Sequence, residues 1–228
     1  MFTISLLGQK GGTGKTTLAL GLAVAAFRAG KVVAVIDLDP QASAANWKDR
    51  RREGNPAVVS AQSSRLKQTH AAAEEMGADI IIIDTAGRSD DSALNAARLS
   101  NLVLIPSRPT ILELEALPAA ADILRLAGSP PAFVVLNGIH PAASKQANEA
   151  RELVRQSFGL ACAPMHLCHR AAYADAMATG CSPQELDADG KAAAELEALF
   201  RFSFEFVNKG TSEHVENVSP PRRAQPRR

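Results

Sequence analysis

With 228 residues, 46% of them hydrophobic, and a formal net charge of +1, the chain carries apolar mass for one cored domain, is marginal for two, and lacks a global positive charge that would hold it on nucleic acid. Cys162, Cys168 and Cys181 are odd in number and form no C-x-x-C pair, which argues against a disulfide framework and a tetrahedral thiolate metal site. The longest mostly apolar stretch, Leu18 to Phe27, falls far short of the roughly 20 residues of a membrane span, and a first strand directly after Met1 leaves no room for a secretion signal, so the expectation is a soluble cytoplasmic protein with reduced thiols and no stable membrane insertion.

The first element is the apolar run Phe2-Thr3-Ile4-Ser5-Leu6-Leu7, a strand as a short apolar run with β-branched residues ahead of a glycine loop. Gln9 to Thr17 follows as Gln-Lys-Gly-Gly-Thr-Gly-Lys-Thr-Thr, and then an apolar-periodic helix, Leu18 to Ala29, with Gly30 at its C-terminal end. Strand, glycine loop and helix in that order make a phosphate cradle. Gly11, Gly12 and Gly14 allow a tight turn with no Cβ in the way, so that several backbone N–H groups aim at one point. The helix N-terminus behind them adds positive potential. Lys15 can then reach the outer phosphates and the Thr16 hydroxyl can ligate Mg²⁺, with Gln9, Thr13 and Thr17 completing the nucleotide-binding set. The generic pattern G-x4-G-K-[ST] calls for glycine at position 9, where this chain has Gln9; Lys10, just ahead of the glycine pair, is placed to reach outward rather than onto phosphates that Lys15 already holds.

Further short apolar runs recur between helix-like segments: Val32 to Ile36, Ile80 to Ile83, Leu102 to Ile105, Phe133 to Leu136 and Met165 to Leu167. Nearly continuous apolar strands alternating with helices indicate an α/β fold, a single doubly wound and mostly parallel sheet with helices on both faces. Leu112 to Leu126 is helix-like with Pro118 inside, so it kinks or restarts there, and Ala192 to Phe206 closes the domain as an amphipathic helix. Residues 1–207 form the expected domain. Residues 208–228 read as a basic, Pro-rich, disordered tail: Lys209, Arg222, Arg223, Arg227 and Arg228 against Glu213 and Glu216 give it +3 and leave the body at −2.

Ligands of such sheets sit beyond the carboxyl ends of the strands. Asp37 and Asp39 follow the second apolar run, and Asp84 closes the Ile80 to Ile83 run ahead of Thr85-Ala86-Gly87-Arg88. An acid at the end of an apolar strand beside a phosphate loop can hold Mg²⁺ directly or through water. Each alone could be a turn or N-cap residue; three in a chain with this loop form a candidate metal and catalytic set.

The loop with its extra Lys10, and the segment Asp37-Leu38-Asp39-Pro40-Gln41-Ala42-Ser43 continuing to Asn46-Trp47, resemble the deviant Walker A ATPases of the ParA/MinD family, particularly short plasmid-partition ParA proteins without an N-terminal helix-turn-helix. The similarity spans Met1 to about Phe206 and includes Pro164 to Glu185, with Arg170, Tyr173, Gly180 and Ser182. The resemblance implies a Mg-ATP-dependent homodimer in which Lys10 crosses to the partner's nucleotide, Asp39 positions the attacking water, Asp37 supports the magnesium shell with Thr16, and Asp84 is the switch II acid. It implies slow, partner-stimulated hydrolysis, non-specific DNA binding on the nucleoid and a ParB-like centromere-binding adaptor. Many relatives carry Asn-Arg after the fifth strand, the asparagine reading adenine; here Asn137 precedes Gly138, and a turn-forming Asn-Gly is the equal alternative. Arg170 is the DNA-binding candidate by position, ahead of Lys48, Arg50, Arg51 and Arg52, where a solvated helix face is favoured. A MinD-like membrane-cycling ATPase shares these motifs but calls for a terminal amphipathic basic helix; here Phe200, Phe202, Phe204 and Phe206 alternate with Arg201, Ser203 and Glu205. A VirC1-like accessory of conjugative DNA transfer remains barely separable from partition. Against a metabolic ligase stand only Lys10 and the Asp37 segment, and the absence of a paired-cysteine cluster site argues against an iron-sulfur reductase.

Overall fold

A computed structural model describes residues 1–87 and 90–209. In chain order the strands are β1 (Phe2–Leu6), β2 (Val33–Asp37), β3 (Ala57–Ser60), β4 (Ile80–Asp84), β5 (Leu102–Ser107), β6 (Ala132–Leu136) and β7 (Ala161–Cys162). The helices are α1 (Lys15–Arg28), α2 (Ser43–Arg50), α3 (Leu66–Glu75), α4 (Asp90–Leu99), α5 (Ile111–Leu114), α6 (Leu117–Leu126), α7 (Ser144–Phe158), α8 (Ala171–Ala178), α9 (Pro183–Leu186) and α10 (Lys191–Asn208). Among the described residues the strands form one sheet in the order β3-β2-β4-β1-β5-β6-β7, every pairing parallel. The expected doubly wound architecture is thus present.

The Ile-rich β4 explains how two cores are made from one strand. Successive side chains point to opposite faces, so Ile80 and Ile82 join the core under α1 and α10, while Ile81 and Ile83 join the core under α4, α6 and α7. α1 is buried nearly all round, from Leu18 to Ala26, because α10 covers the side that the sheet does not. Leu196 of α10 sits fully buried against Gly21, where a Cβ would come within 2.7 Å of it. Pro118 falls in the first turn of α6, where its missing N–H needs no partner, so the segment begins anew there after the short α5.

Two elements differ from the sequence expectation. Residues 57–60 form an edge strand whose side chains are mostly exposed. Met165 to Leu167 is not a strand; the last strand is Ala161–Cys162, and Pro164, which has no N–H to donate, interrupts the ladder. Leu167 still runs beside the sheet, its N–H donating to Leu136 O at 2.9 Å. α10 continues one residue past the expected boundary, to Asn208, and Lys209 pairs with Glu205 at 3.6 Å; the expected tail from residue 210 lies outside the described residues. The three cysteines are free, and no described helix is long and apolar enough to cross a membrane.

Truncating the α1–α10 contact by Leu196→Ala should lower stability by about 2–5 kcal/mol, read as a shift of the urea midpoint at unchanged slope.

Candidate nucleotide site

β1 lies between β4 and β5, so the loop that leaves it emerges where connections diverge to the two sides of the sheet, the place where such sheets open a crevice. The register aligns Leu6 with Asp84 and Asp84 with Asp37, bringing the phosphate loop and two strand-end acids side by side. Thr85 secures this edge by donating its hydroxyl to Leu6 O at 2.7 Å.

The loop is held from outside by its carbonyls. Asn137 Nδ2 donates to Thr13 O at 2.8 Å, and Arg108 Nη2 donates to Gly12 O at 2.9 Å. Gly87 packs so closely that a Cβ on it would lie 3.1 Å from Lys10 and Gly11 backbone atoms. Gly14 has φ 98°, and a Cβ there would meet Asn137 Nδ2 at 2.3 Å, so both conformation and space demand glycine. α1 starts directly behind Gly14 with no side-chain cap and no acid in its first turn, which leaves its N–H groups and positive dipole end for an anion.

Lys15 is buried, and its Nζ donates to Lys10 O at 2.9 Å. Burial pushes its pKa down, opposed by the charges of Asp84, Asp39 and Glu113. Asp84 is 0% exposed, and among the described residues neither of its oxygens meets the full geometry of a hydrogen bond, although the Thr16 hydroxyl lies close enough to act on it. Burial raises its pKa to about 7, the nearby Thr16 hydroxyl and Lys15 acting the other way. A buried carboxylate left unpaired costs free energy unless it protonates or meets a cation. The Asp84 carboxylate and the Thr16 hydroxyl beside it are oxygen donors that suit Mg²⁺, which takes one or two carboxylates and completes its shell with phosphate and water.

Asp37 is employed differently. Its Oδ1 accepts from Asp39 N at 3.0 Å, and its Oδ2 accepts from Ala44 N at 3.0 Å and Ala45 N at 3.3 Å; burial nonetheless raises its pKa. Asp39 is half-buried and accepts from Gln41 N at 2.9 Å. Lys10, Gly11 and Gly12 are exposed at the loop crown.

The structure therefore brings Gln9 to Thr17, Asp37, Asp39, Asp84 and Asn137 together. Asn137 meets the loop with both halves of its amide engaged, Oδ1 accepting from Gly138 N at 2.8 Å. Arg170 belongs to another cluster: it pairs with Glu195 at 2.6 Å, and Glu195 also accepts from Cys168 N and the Tyr173 hydroxyl. In the 48–52 run, Arg51 is buried and paired with Glu185. Sequence reasoning missed Arg108, Gly87 as a packing residue, and the bond from Gln9 Nε2 to Asp90 Oδ1 at 2.7 Å. The strand-end rule that selected Asp37 and Asp84 would have found Arg108, which directly follows β5.

The CobQ/CobB/MinD/ParA nucleotide binding domain matches residues 4–183. Maintenance of carboxysome distribution protein A of Gloeobacter kilaueensis is 31% identical over 156 residues, which is 67% of this chain and 70% of that protein. Protein virC1 of Rhizobium rhizogenes is 31% identical over 121 residues, 50% of this chain and 52% of that protein. The MinC:MinD cell division protein complex of Aquifex aeolicus superposes with TM-score 0.73 at 16% identity over 90% of this chain and 96% of that one, a likeness of fold.

Because the folded protein raises the Asp84 pKa above the ordinary aspartate value of 3.8 to about 7, the native state binds the extra proton between those values, and its stability falls as pH rises through that window. Without metal or nucleotide, Asp84→Asn should remove this fall, so that its gain over wild type grows from pH 5 to pH 8 toward roughly 4 kcal/mol at most. Urea unfolding across that range measures it; a gain independent of pH would show that Asp84 does not titrate there.

Proposed function

The chain belongs to the CobQ/CobB/MinD/ParA nucleotide-binding family, with the ATPase domain of its ParA/MinD members, and from that premise we propose that it is a Mg-ATP-dependent dimerising switch that binds DNA non-specifically and positions or segregates a cargo through a ParB-like adaptor. The observation that carries the reading is the buried Asp84 carboxylate, without a hydrogen bond of full geometry among the described residues, beside Thr16 and Lys15 at the mouth of an uncapped helix. The relative whose name concerns carboxysome distribution supports a positioning role.

Bound Mg-ATP supplies the transferable phosphoryl group and the cation that neutralises its oxygens. The backbone of Gly11 to Thr17 cradles the phosphates, and Lys15 leaves the Lys10 carbonyl to reach them. Thr16 and Asp84 would hold the cation, with Asp37 supporting the shell from the neighbouring strand end. Asp39 orients the attacking water. Exposed Lys10 reaches the nucleotide of a second copy, so the complete charge-stabilising set requires two chains. Among the described residues no strong base stands at the site beyond these carboxylates, which fits slow hydrolysis that an adaptor accelerates. Arg170 is retained as the DNA-contact candidate, its charge partly neutralised by Glu195. The virC1 match supports a second reading, an accessory in DNA transfer that uses the same switch on a different cargo.

The test is ATP hydrolysis with and without non-specific duplex DNA, together with DNA retention in ATP and in ADP over a salt series. Retention should require ATP, vanish in Lys15→Ala, and persist or lengthen in Asp39→Ala; charge reversal at Arg170 should weaken it. Absence of retention in every nucleotide state would overturn the DNA reading and direct attention to liposome co-sedimentation.

A further inference from the structure

Asp39 sits on a short loop, 38–42, that is stitched at both ends. At its start Asp37 Oδ1 accepts from Asp39 N; at its end Asp37 Oδ2 accepts from Ala44 N and Ala45 N, two N–H groups of the first turn of α2. Ala42, the residue before α2, is held at φ 51°, a left-handed conformation that a residue with a Cβ keeps only when the structure on either side fixes it. The place of Asp39 is thus set by the place of α2, a rod of eight residues and about 12 Å.

The far end of that rod is clamped. Arg51, directly after α2, has a side chain only 2% exposed. Its Nη1 donates to Glu185 Oε2 at 2.9 Å and Gly180 O at 3.0 Å, its Nη2 to Glu185 Oε1 at 2.6 Å, and its Nε to Asn55 O at 2.6 Å. The guanidinium also lies 4.8 Å from the centre of the Trp47 ring. Trp47, buried on the same helix, donates Nε1 to Cys181 O at 2.9 Å. Gly180 has φ 71°, and a Cβ there would lie 2.5 Å from Arg51 N. Glu185 is itself anchored through Ser182 N at 2.8 Å, and Gln184 Nε2 donates to Gly21 O of α1 at 3.1 Å. A buried ion pair adds little stability over apolar residues of the same shape, but a bidentate fork accepts one orientation only.

Resting on the ATPase reading above, we propose that Arg51 and Trp47 are positioning residues for hydrolysis: by locking the C-terminal end of α2 to residues 180–185, they fix through α2 the place of Asp39. A misplacement on the order of 1 Å at a water-orienting group costs about 100-fold in rate, while the phosphate loop, which the clamp does not include, keeps its grip on nucleotide.

The experiment uses Glu185→Gln, which keeps shape and loses charge, and Arg51→Met, which replaces the fork by an apolar chain. Amide hydrogen exchange of the full chain without nucleotide should show residues 38–46 exchanging at least tenfold faster in each variant, with β1 and β4 unchanged. Hydrolysis assays should show kcat lowered at least tenfold and KM for Mg-ATP within about threefold of wild type. Unchanged exchange at 38–46 overturns the proposal, as does faster exchange with a wild-type kcat. Should Arg51→Met fail to fold, Glu185→Gln decides alone. A wild-type chain that hydrolyses no ATP would sink the ATPase reading, whereas the exchange measurement still decides whether the clamp governs the Asp39 loop.

Discussion

The carboxylate of Asp84, removed from water at the end of a wholly apolar strand and left without a hydrogen bond of full geometry among the described residues, is the constraint around which this molecule is arranged. An interior of this kind disfavours an isolated negative charge strongly. The sequence could have relieved it with one backbone donor, as it does three times over for Asp37 in the adjoining strand. Near it stand Lys15, turned onto a loop carbonyl, the Thr16 hydroxyl and an uncapped helix end. Together they define a volume that is electrostatically incomplete until a polyanion and a cation enter it.

That incompleteness requires rigidity elsewhere. Phosphate loops work by presenting N–H groups, which leaves their carbonyls free for bracing, and Asn137 and Arg108 brace Thr13 and Gly12 in that way. The two residues come from the ends of the next two strands on the β5 side, β6 and β5 respectively. The acids come from the β4 side, on β4 and β2. The divergence of the sheet at β1 thus separates bracing from charge, with the loop between them. Asn137 gains a further role when its surroundings are seen. An amide that satisfies the Thr13 carbonyl and its own neighbour's N–H is part of the loop's scaffold, and only the three-dimensional proximity of residues 13 and 137 reveals it.

Legibility from sequence followed local chemistry. The glycine loop, the strand-end acids and the alternation of strand with helix are encoded within windows of a dozen residues, and the fold class follows from them. β3 escaped because it is an exposed edge strand whose apolar run, Ala57-Val58-Val59, is only three residues long. The final strand was misplaced by a few residues because Met165 to Leu167 is apolar for a different reason: it lines the core beside Leu136 without extending the ladder. Arg51 was legible only as a member of a basic run, since its partner lies 134 positions away. Arg170 was marked by position in a motif, while the structure adds the four donors that converge on Glu195 from that segment.

Trp47 is the chain's single tryptophan, and it lies within the clamp, 1% exposed, with a cationic fork over its ring and its indole nitrogen bonded to a carbonyl of a distant segment. The protein therefore carries an optical reporter at one site, with no second indole to blur it. Its emission colour and quenching describe the helix that follows the Asp39 loop and that helix's seat on residues 180–185. A spectroscopist can follow that helix in the unlabelled, unmodified molecule, in real time, through every nucleotide and partner that is added to it.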